Sequence, residues 1–377
     1  MSILTVMAGA AIAHALGIIK AHFASAPQIL VQFIVSIPAL FIIITNLFFL
    51  EISRYMRTRS IAITGLLLYV ISGTGCYFID NIYVLLLLRA LLGISVGLIM
   101  PLSTGLLSFY FPPEDQARLM GLSAAMNQMG GVVATLLAGI LASVRWNYAF
   151  LVYLLGLTTL LMVIRWLPNA QLDSKNKRGK EFEPKQLLKF HPSVIGMLLL
   201  MMIFFIFPTN FAITAERITS LSTNSITILM VSVDFIAMIM GIIFDKLMKA
   251  FRESLKYFSA IFFMAGYICI ATAKDSLAII IVGCLLVGIA NGVGVPYLNT
   301  IASIKGGSNS ATTVMPLLSA SLYSGQFVSP LIVTPFSYML FPNNDIVAPY
   351  KTGVIICAIF LFQVWSTRHY QSLPPKE

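Results

Sequence analysis

Arg89-Ala-Leu-Leu-Gly93-Ile-Ser-Val-Gly97-Leu-Ile-Met-Pro101 recurs 195 positions later as Cys284-Leu-Leu-Val-Gly288-Ile-Ala-Asn-Gly292-Val-Gly-Val-Pro296. Both glycines and the proline coincide, while the cation heading the first copy becomes a thiol in the second. The same shift lays Arg54 and Arg57 on Lys249 and Arg252, and Gly130 on Gly325. One offset serving three separated regions marks an internal duplication. Each copy lies inside an uninterrupted apolar run, so the repeated unit is built of apolar helices.

Composition says where such helices belong. Of 377 residues, 58% are hydrophobic and 10% charged, whereas a soluble domain is about 45–50% apolar and about 25% charged. Mean hydropathy is +0.91. A cytosolic enzyme, a disordered chain and a disulfide scaffold are excluded. A polytopic membrane protein is indicated, because backbone polar groups in lipid must be satisfied within helices. The formal net charge of +10 sits in connections between apolar runs, as a topology signal and not as a nucleic-acid footprint. Cys76, Cys269, Cys284 and Cys357 all fall inside apolar runs, with no disulfide or metal spacing.

A span takes about 20 apolar residues. Candidate spans fall near 3–19, 28–50, 60–79, 82–108, 118–143, 147–167, 194–214, 223–244, 257–273, 276–303, 312–340 and 352–367. That is an all-α membrane protein of twelve transmembrane helices. The first run resembles a signal peptide but lacks a basic lead-in, and the duplication requires it as a span. The polar stretch 168–192, containing "DSKNKRGKEFEPK", reads as a cytoplasmic basic tether. It separates an N-terminal six-helix bundle, 1–167, from a C-terminal one, 193–377. Six is even, so both copies enter the membrane from one side, giving two parallel six-helix repeats. With both termini cytoplasmic, Arg54, Arg57, Arg59, Arg118, Arg165, the basic tether, Lys246, Lys249, Arg252, Lys256, Lys305, Arg368 and Lys376 lie inside. Outside remain only Lys20, Arg145, Arg217, Lys274 and Lys351, the asymmetry the positive-inside rule describes.

These residues resemble the major facilitator superfamily, and within it the bacterial drug:proton antiporter branch. Arg89 and Gly93 match its fourth-span motif. Gly241, Asp245, Lys246 and Lys249 match the loop motif Gly-x-x-x-Asp-basic-x-x-basic, with Arg54 its clear match in the first copy. There Asn46, Leu50 and Glu51 stand at the Gly, Asp and basic positions. Gly121, Gly130, Gly131 and Gly139 approach the glycine-rich antiporter motif, but Ala134-Thr135 stands where a Gly-Pro pair is expected. The resemblance implies a secondary active transporter of a bacterial inner membrane that works by rocking two bundles about a central site. Export of amphipathic compounds in exchange for protons is the version it favours. An uptake symporter or facilitator for a metabolite is the alternative within the fold, and a transporter-like sensor without flux the alternative outside it. A monomer is expected, with a small-molecule substrate, the bilayer and protons as partners, and no nucleic acid, cofactor or metal.

Three ionisable side chains within spans are candidates for coupling or a cavity charge. An Arg at mid-membrane costs about 2.5–3.5 kcal/mol on insertion scales, so Arg89 is expected to face protein or water and find partners. Asp234 is the only carboxylate well inside a span. It either pairs with a cation or holds a proton. His14 titrates near neutral pH in its unperturbed state. Gly93, Gly97 and Pro101, with Gly130, Gly288, Gly292 and Pro296, admit close helix packing. Gly241, Asp245, Lys246, Lys249 and Arg54 form a loop motif that would latch one conformation through the helix dipole. Polar groups able to meet substrate are Asn127, Gln128, Thr209, Asn210, Asn291, Tyr297, Asn299, Tyr323 and Gln326. Pro208 would open the seventh span beside them. Gly93-Ile-Ser95-Val-Gly97 matches G-x-S-x-G, but it lies in a helix whose second copy drops the serine, so it is packing and not a hydrolase elbow. No Walker loop, Rossmann fingerprint or metal cluster occurs in the sequence.

Overall fold

The structure, a computed structural model, describes residues 1–13, 19, 22–23, 28–169, 184–219, 223–273, 276–306, 314–341 and 345–368. The described residues are helical throughout apart from short turns. In chain order the first half gives α1 (Ser2–Ala13), α2 (Gln28–Tyr55), α3 (Thr58–Gly75), α4 (Ile82–Tyr110), α5 (Pro113–Val144) and α6 (Leu155–Trp166). A 3-10 segment, Trp146–Leu154, leads into α6. The second half gives α7 (Pro184–Phe204), α8 (Ile206–Thr219), α9 (Thr223–Phe251), α10 (Leu255–Thr272), α11 (Leu277–Gly306), α12 (Met315–Leu340) and α13 (Ala348–Ser366).

The helices lie on the apolar runs, and polar residues set their ends. Asn81 caps α4 by accepting from the backbone N–H groups of Tyr83 (2.9 Å) and Val84 (3.5 Å). Pro113 opens α5, followed by Glu114 and Asp115 in its first turn, where the dipole favours acids. Between α9 and α10 the chain turns at Arg252, whose φ of 42° lies in the left-handed region. Helix α7 begins at Pro184, within the 168–192 stretch read as a tether, while residues 170–183 of that stretch lie outside the described residues.

Among the described residues, 10 segments are long and apolar enough to cross a membrane. One of them, Ile228–Thr272, runs 45 residues and takes in most of α9 and all of α10. Large apolar side chains lie exposed along the helices, including Phe48, Ile71, Leu87, Ile140, Leu161 and Phe362. In water so much exposed apolar surface would be a liability. Facing hydrocarbon it costs nothing. The chain is a multi-pass membrane protein.

Two compact units divide the chain. One holds Met1–Phe111, Met126–Phe182 and Gly306–Ala320, the other Pro112–Ala125, Glu183–Lys305 and Ser321–Glu377. Helices α5 and α12 are therefore shared, each giving its opening turns to the unit that holds most of the other half. In the first unit α2 and α3 both lie along α4. In the second, α10 lies along α13, and the start of α5 is fixed to α11 by a Ser303 hydroxyl donating to Gln116 Oε1 at 2.6 Å.

The seventh apolar run is broken, giving α7 and α8. Pro208 has no N–H to offer the carbonyl four residues back, and the break falls one turn earlier, at Phe205. Neighbouring helices take up the carbonyls there. Ser329 donates to Met202 O at 2.7 Å, and the Tyr267 hydroxyl donates to Ile203 O. Both donor residues are buried.

Candidate functional site

The close approaches of the helices recur at the offset seen in the sequence. A Cβ on Gly93 would stand 2.5 Å from the Pro38 carbonyl oxygen and 2.9 Å from Phe41 Cβ. A Cβ on Gly288 would stand 2.8 Å from the Val233 carbonyl oxygen and 3.0 Å from Ile236 Cβ. Pro38 and Phe41 become Val233 and Ile236 under the same shift of 195 that carries Gly93 to Gly288. One turn on, Gly97 meets Thr45 Cβ (2.6 Å) and Ile42 O (3.2 Å), and Gly292 meets Met240 Cβ (2.7 Å) and Ala237 O (2.6 Å). Gly130 rests on the backbone of Ile3, and Gly325 on that of Leu198. Each glycine is needed because backbone lies where a side chain would start. Pro101 and Pro296 are buried inside α4 and α11.

On this scaffold sits Arg89, the largest fully buried side chain among the described residues. It shares the Gly93 face of α4, and the close packing of α2 brings backbone within its reach. Nε donates to Ile34 O at 2.7 Å, Nη1 to the Tyr153 hydroxyl at 2.6 Å and Nη2 to Ala8 O at 2.8 Å. The Tyr153 hydroxyl itself donates to Ala8 O at 3.0 Å, and its ring lies 5.9 Å from the guanidinium carbon. Tyr69 stands edge-on to Tyr153 at 5.5 Å and donates to Leu4 O at 3.2 Å. No carboxylate lies within ion-pairing distance of Arg89 among the described residues. The cation is held by carbonyl dipoles of α1 and α2 and one phenol.

Asp234, half-buried on α9, follows the Val233 carbonyl that Gly288 abuts. It has neither a hydrogen bond nor an ion pair among the described residues. A carboxylate so placed is open to a proton, a cation or a cationic group. His14 lies outside the described residues.

The loop-motif residues divide by role. Gly241 is a packing residue: its Cβ would meet Gly121 O at 2.8 Å and Ala125 N at 3.0 Å. Asp245 pairs with Lys249 at 2.6 Å, one turn along α9, and Lys246 is exposed. Arg54 pairs with Glu51 at 2.7 Å on α2.

Much of the polar set is already engaged. Asn127 Oδ1 accepts from Thr5 Oγ1 at 2.9 Å, which links α5 to α1. Thr209 donates to Phe205 O (2.6 Å), and Asn210 to Ile206 O (2.9 Å) and to Thr209 Oγ1 (2.9 Å). Both therefore serve the backbone carbonyl four residues back in their own chain. Asn291 Oδ1 and Gln128 Nε2 are buried with no hydrogen-bond partner among the described residues, and these are the atoms of the set most available to another molecule. Tyr297 and Tyr323 are buried, Asn299 and Gln326 half-buried. Ser95 is fully buried inside α4, where no elbow exists. Pro38, Tyr69 and Tyr153 complete the Arg89 site and were not singled out from the sequence. Of these only Pro38 left a signal, a proline inside a span one turn from Ile34.

Known proteins bear on this arrangement. A family model described as the Major Facilitator Superfamily matches residues 1–330. The riboflavin transporter RibZ of Clostridioides difficile (strain 630) is 24% identical over 173 residues, covering 45% of this chain and 37% of that protein. The quinolone resistance protein NorA of Staphylococcus aureus (strain COL) is 27% identical over 285 residues, 71% of this chain and 70% of its own length. The alignment thus spans little more than a third of RibZ and a larger part of NorA. The structure of the proton:xylose symporter XylE superposes with a TM-score of 0.78 at 16% identity, over 97% of this chain and 93% of that one. At that identity the likeness is one of fold.

Proposed function

The chain belongs to the major facilitator superfamily, and from that premise we propose that it is a secondary transporter. Two parallel six-helix repeats, twelve spans in all, rock about a central substrate site in the plasma membrane, with both termini cytoplasmic and a single chain as the working unit. The substrate is a small amphipathic molecule, exported in exchange for protons. NorA, named for quinolone resistance, supports the choice of substrate class.

The observation that carries proton coupling is Asp234, a carboxylate within an apolar helix that has no partner among the described residues. A group of this kind can be charged in one state and neutral in the next, as exchange requires. Arg89 keeps a fixed positive charge in the first half, and Asn291 and Gln128 offer unpaired polar atoms to substrate. Asp245, Lys246 and Lys249, with Gly241 packed on α5, form the latch at one helix end, and Arg54 its counterpart.

Import by symport is the second reading. It is favoured by Ala134-Thr135, which stands where the resembling antiporters carry Gly-Pro.

Proteoliposomes loaded with a panel containing a quinolone and riboflavin separate these readings. With an inward proton gradient, export is expected to accelerate and to alkalinise the vesicle exterior in proportion to substrate moved. Asp234→Asn should reduce the gradient-driven component to the level of empty vesicles. Substrate moving with the protons instead of against them would establish symport. Flux indifferent both to the gradient and to Asp234→Asn would remove proton coupling.

A further inference from the structure

Arg89 and Pro38 fit each other in a way neither residue explains alone. A proline inside a helix has no N–H, so the carbonyl four residues earlier loses its intrahelical donor. For Pro38 that carbonyl is Ile34 O, and Ile34 O is the atom to which Arg89 Nε donates at 2.7 Å. The Pro38 backbone also forms the seat of Gly93, so α4 approaches α2 at the proline and places Arg89 one turn away on the same face. From that anchor the guanidinium reaches Ala8 O and the Tyr153 hydroxyl. Gly73 makes room for Tyr153: a Cβ there would lie 2.5 Å from the tyrosine ring.

The duplicated half supplies an internal control. At the shift that superposes the glycine contacts, Pro38 becomes Val233 and Arg89 becomes Cys284. Val233 keeps its N–H, so no carbonyl is left open for a cation, and none is placed there. Proline and arginine occur together at these two positions in one half and are absent together from the matching positions of the other.

We propose that Pro38 is a positioning residue. By leaving Ile34 O open it fixes the Arg89 guanidinium, and through Arg89 and Tyr153 it ties α1 and α2 to α4 so that they move as one body during transport. The clause about movement rests on the transporter reading; the pairing of Pro38 with Arg89 does not. Arg89 here braces helices and does not touch substrate.

A four-way comparison on the purified full chain tests the pairing: native, Pro38→Ala, Arg89→Leu and the double variant, read as thermal midpoints in detergent. In the native background Pro38→Ala gives Ile34 O its own helical donor and displaces Arg89, so the midpoint is expected to fall. In the Arg89→Leu background the same change fills an orphaned carbonyl, and the midpoint is expected to rise. A reversal of sign supports the proposal, and the same shift in both backgrounds overturns it. Should Arg89→Leu not fold, Arg89→Gln, which lacks the guanidinium fork, enters the same cycle. Vesicle flux supplies a separate reading. Pro38→Ala should lower kcat with KM unchanged, whereas a raised KM at native kcat would assign the site to substrate contact and refute positioning. A native chain that moves no substrate defeats the transporter reading, and the thermal cycle then decides the pairing alone.

Discussion

Helix α4 crosses α2 as helix α11 crosses α9, yet the two crossings hold different chemistry. Gly93 and Gly97 lie on Pro38 O and Ile42 O, Gly288 and Gly292 on Val233 O and Ala237 O, at one constant shift. Backbone meets backbone at both, and no residue but glycine permits it. Between these fixed points the side chains have diverged. The first crossing holds a buried cation on an opened carbonyl, while the second holds Cys284 beside an intact helix. The carboxylate is placed in the opposite sense: Asp234 on α9 corresponds to Ala39 on α2. The contacts that set helix spacing recur at one shift and the positions that carry charge do not, so the buried ionisable groups are where the two crossings differ.

The largest effect is expected from forcing the halves to be alike in charge. Cys284→Arg would bury a guanidinium in a crossing where Val233 retains its N–H and offers no open carbonyl. An uncompensated buried ion costs several kcal/mol, so the variant should be recovered in little or no folded form. Cys284→Ala, which removes only a buried thiol, should cost less than about 1.5 kcal/mol. The yield of monodisperse protein and its thermal midpoint measure both. A well-folded Cys284→Arg would mean that the second crossing holds a cation without proline, with Asp234 beside Val233 as the acid that pairs with it.

A second experiment asks whether the shared contacts are as equivalent as they look. Gly97→Val would drive its Cβ to 2.6 Å from Thr45 Cβ, and Gly292→Val would drive its own to 2.6 Å from Ala237 O. Overpacking of this kind costs about 1–3 kcal/mol, and the two losses of thermal stability should agree within error. Gly139→Val is the control, since nothing among the described residues lies within 4 Å of its Cβ. A large loss at one crossing with tolerance at the other would separate two sites that geometry makes equal.

What the sequence disclosed and what it withheld divide along the same line. Helix positions follow from apolar runs long enough to satisfy every backbone group in lipid, and the glycine contacts from their spacing and repetition. The partners of Arg89 are different, because two are backbone carbonyls, which no residue type announces. Only the proline rule, applied from Pro38 back to Ile34, points to one of them. Tyr153 sits in a 3-10 segment, where helical periodicity says nothing of its direction. Thr209 and Asn210 looked free for substrate, but short polar side chains in helices commonly bond back to the carbonyl four residues earlier, and both do so. The helix break expected at Pro208 lies at Phe205, since the missing N–H is felt one turn upstream.

The smallest effect is expected at the surface pairs, where each half holds a base against an acid of its own helix. Arg54 and Lys249 correspond under the shift of 195, and each holds an acid on its own helix: Glu51 at 2.7 Å, three residues back, and Asp245 at 2.6 Å, four residues back. The side chains of Lys249 and Arg54 are 76% and 40% exposed, so water and salt screen both pairs. Such pairs are worth about 0.3–0.5 kcal/mol in helices. Arg54→Ala and Lys249→Ala should therefore each shift the thermal midpoint only slightly, and raised salt should shrink the difference from native further. The two pairs differ at the acid, because the Asp245 side chain is only 20% exposed and Glu51 is 53% exposed. If the loop motif works as a latch, Asp245→Asn slows turnover while membrane insertion and the thermal midpoint stay close to native, and Glu51→Gln changes neither. Equal and negligible effects on flux from the two substitutions would reduce both loops to topology signals.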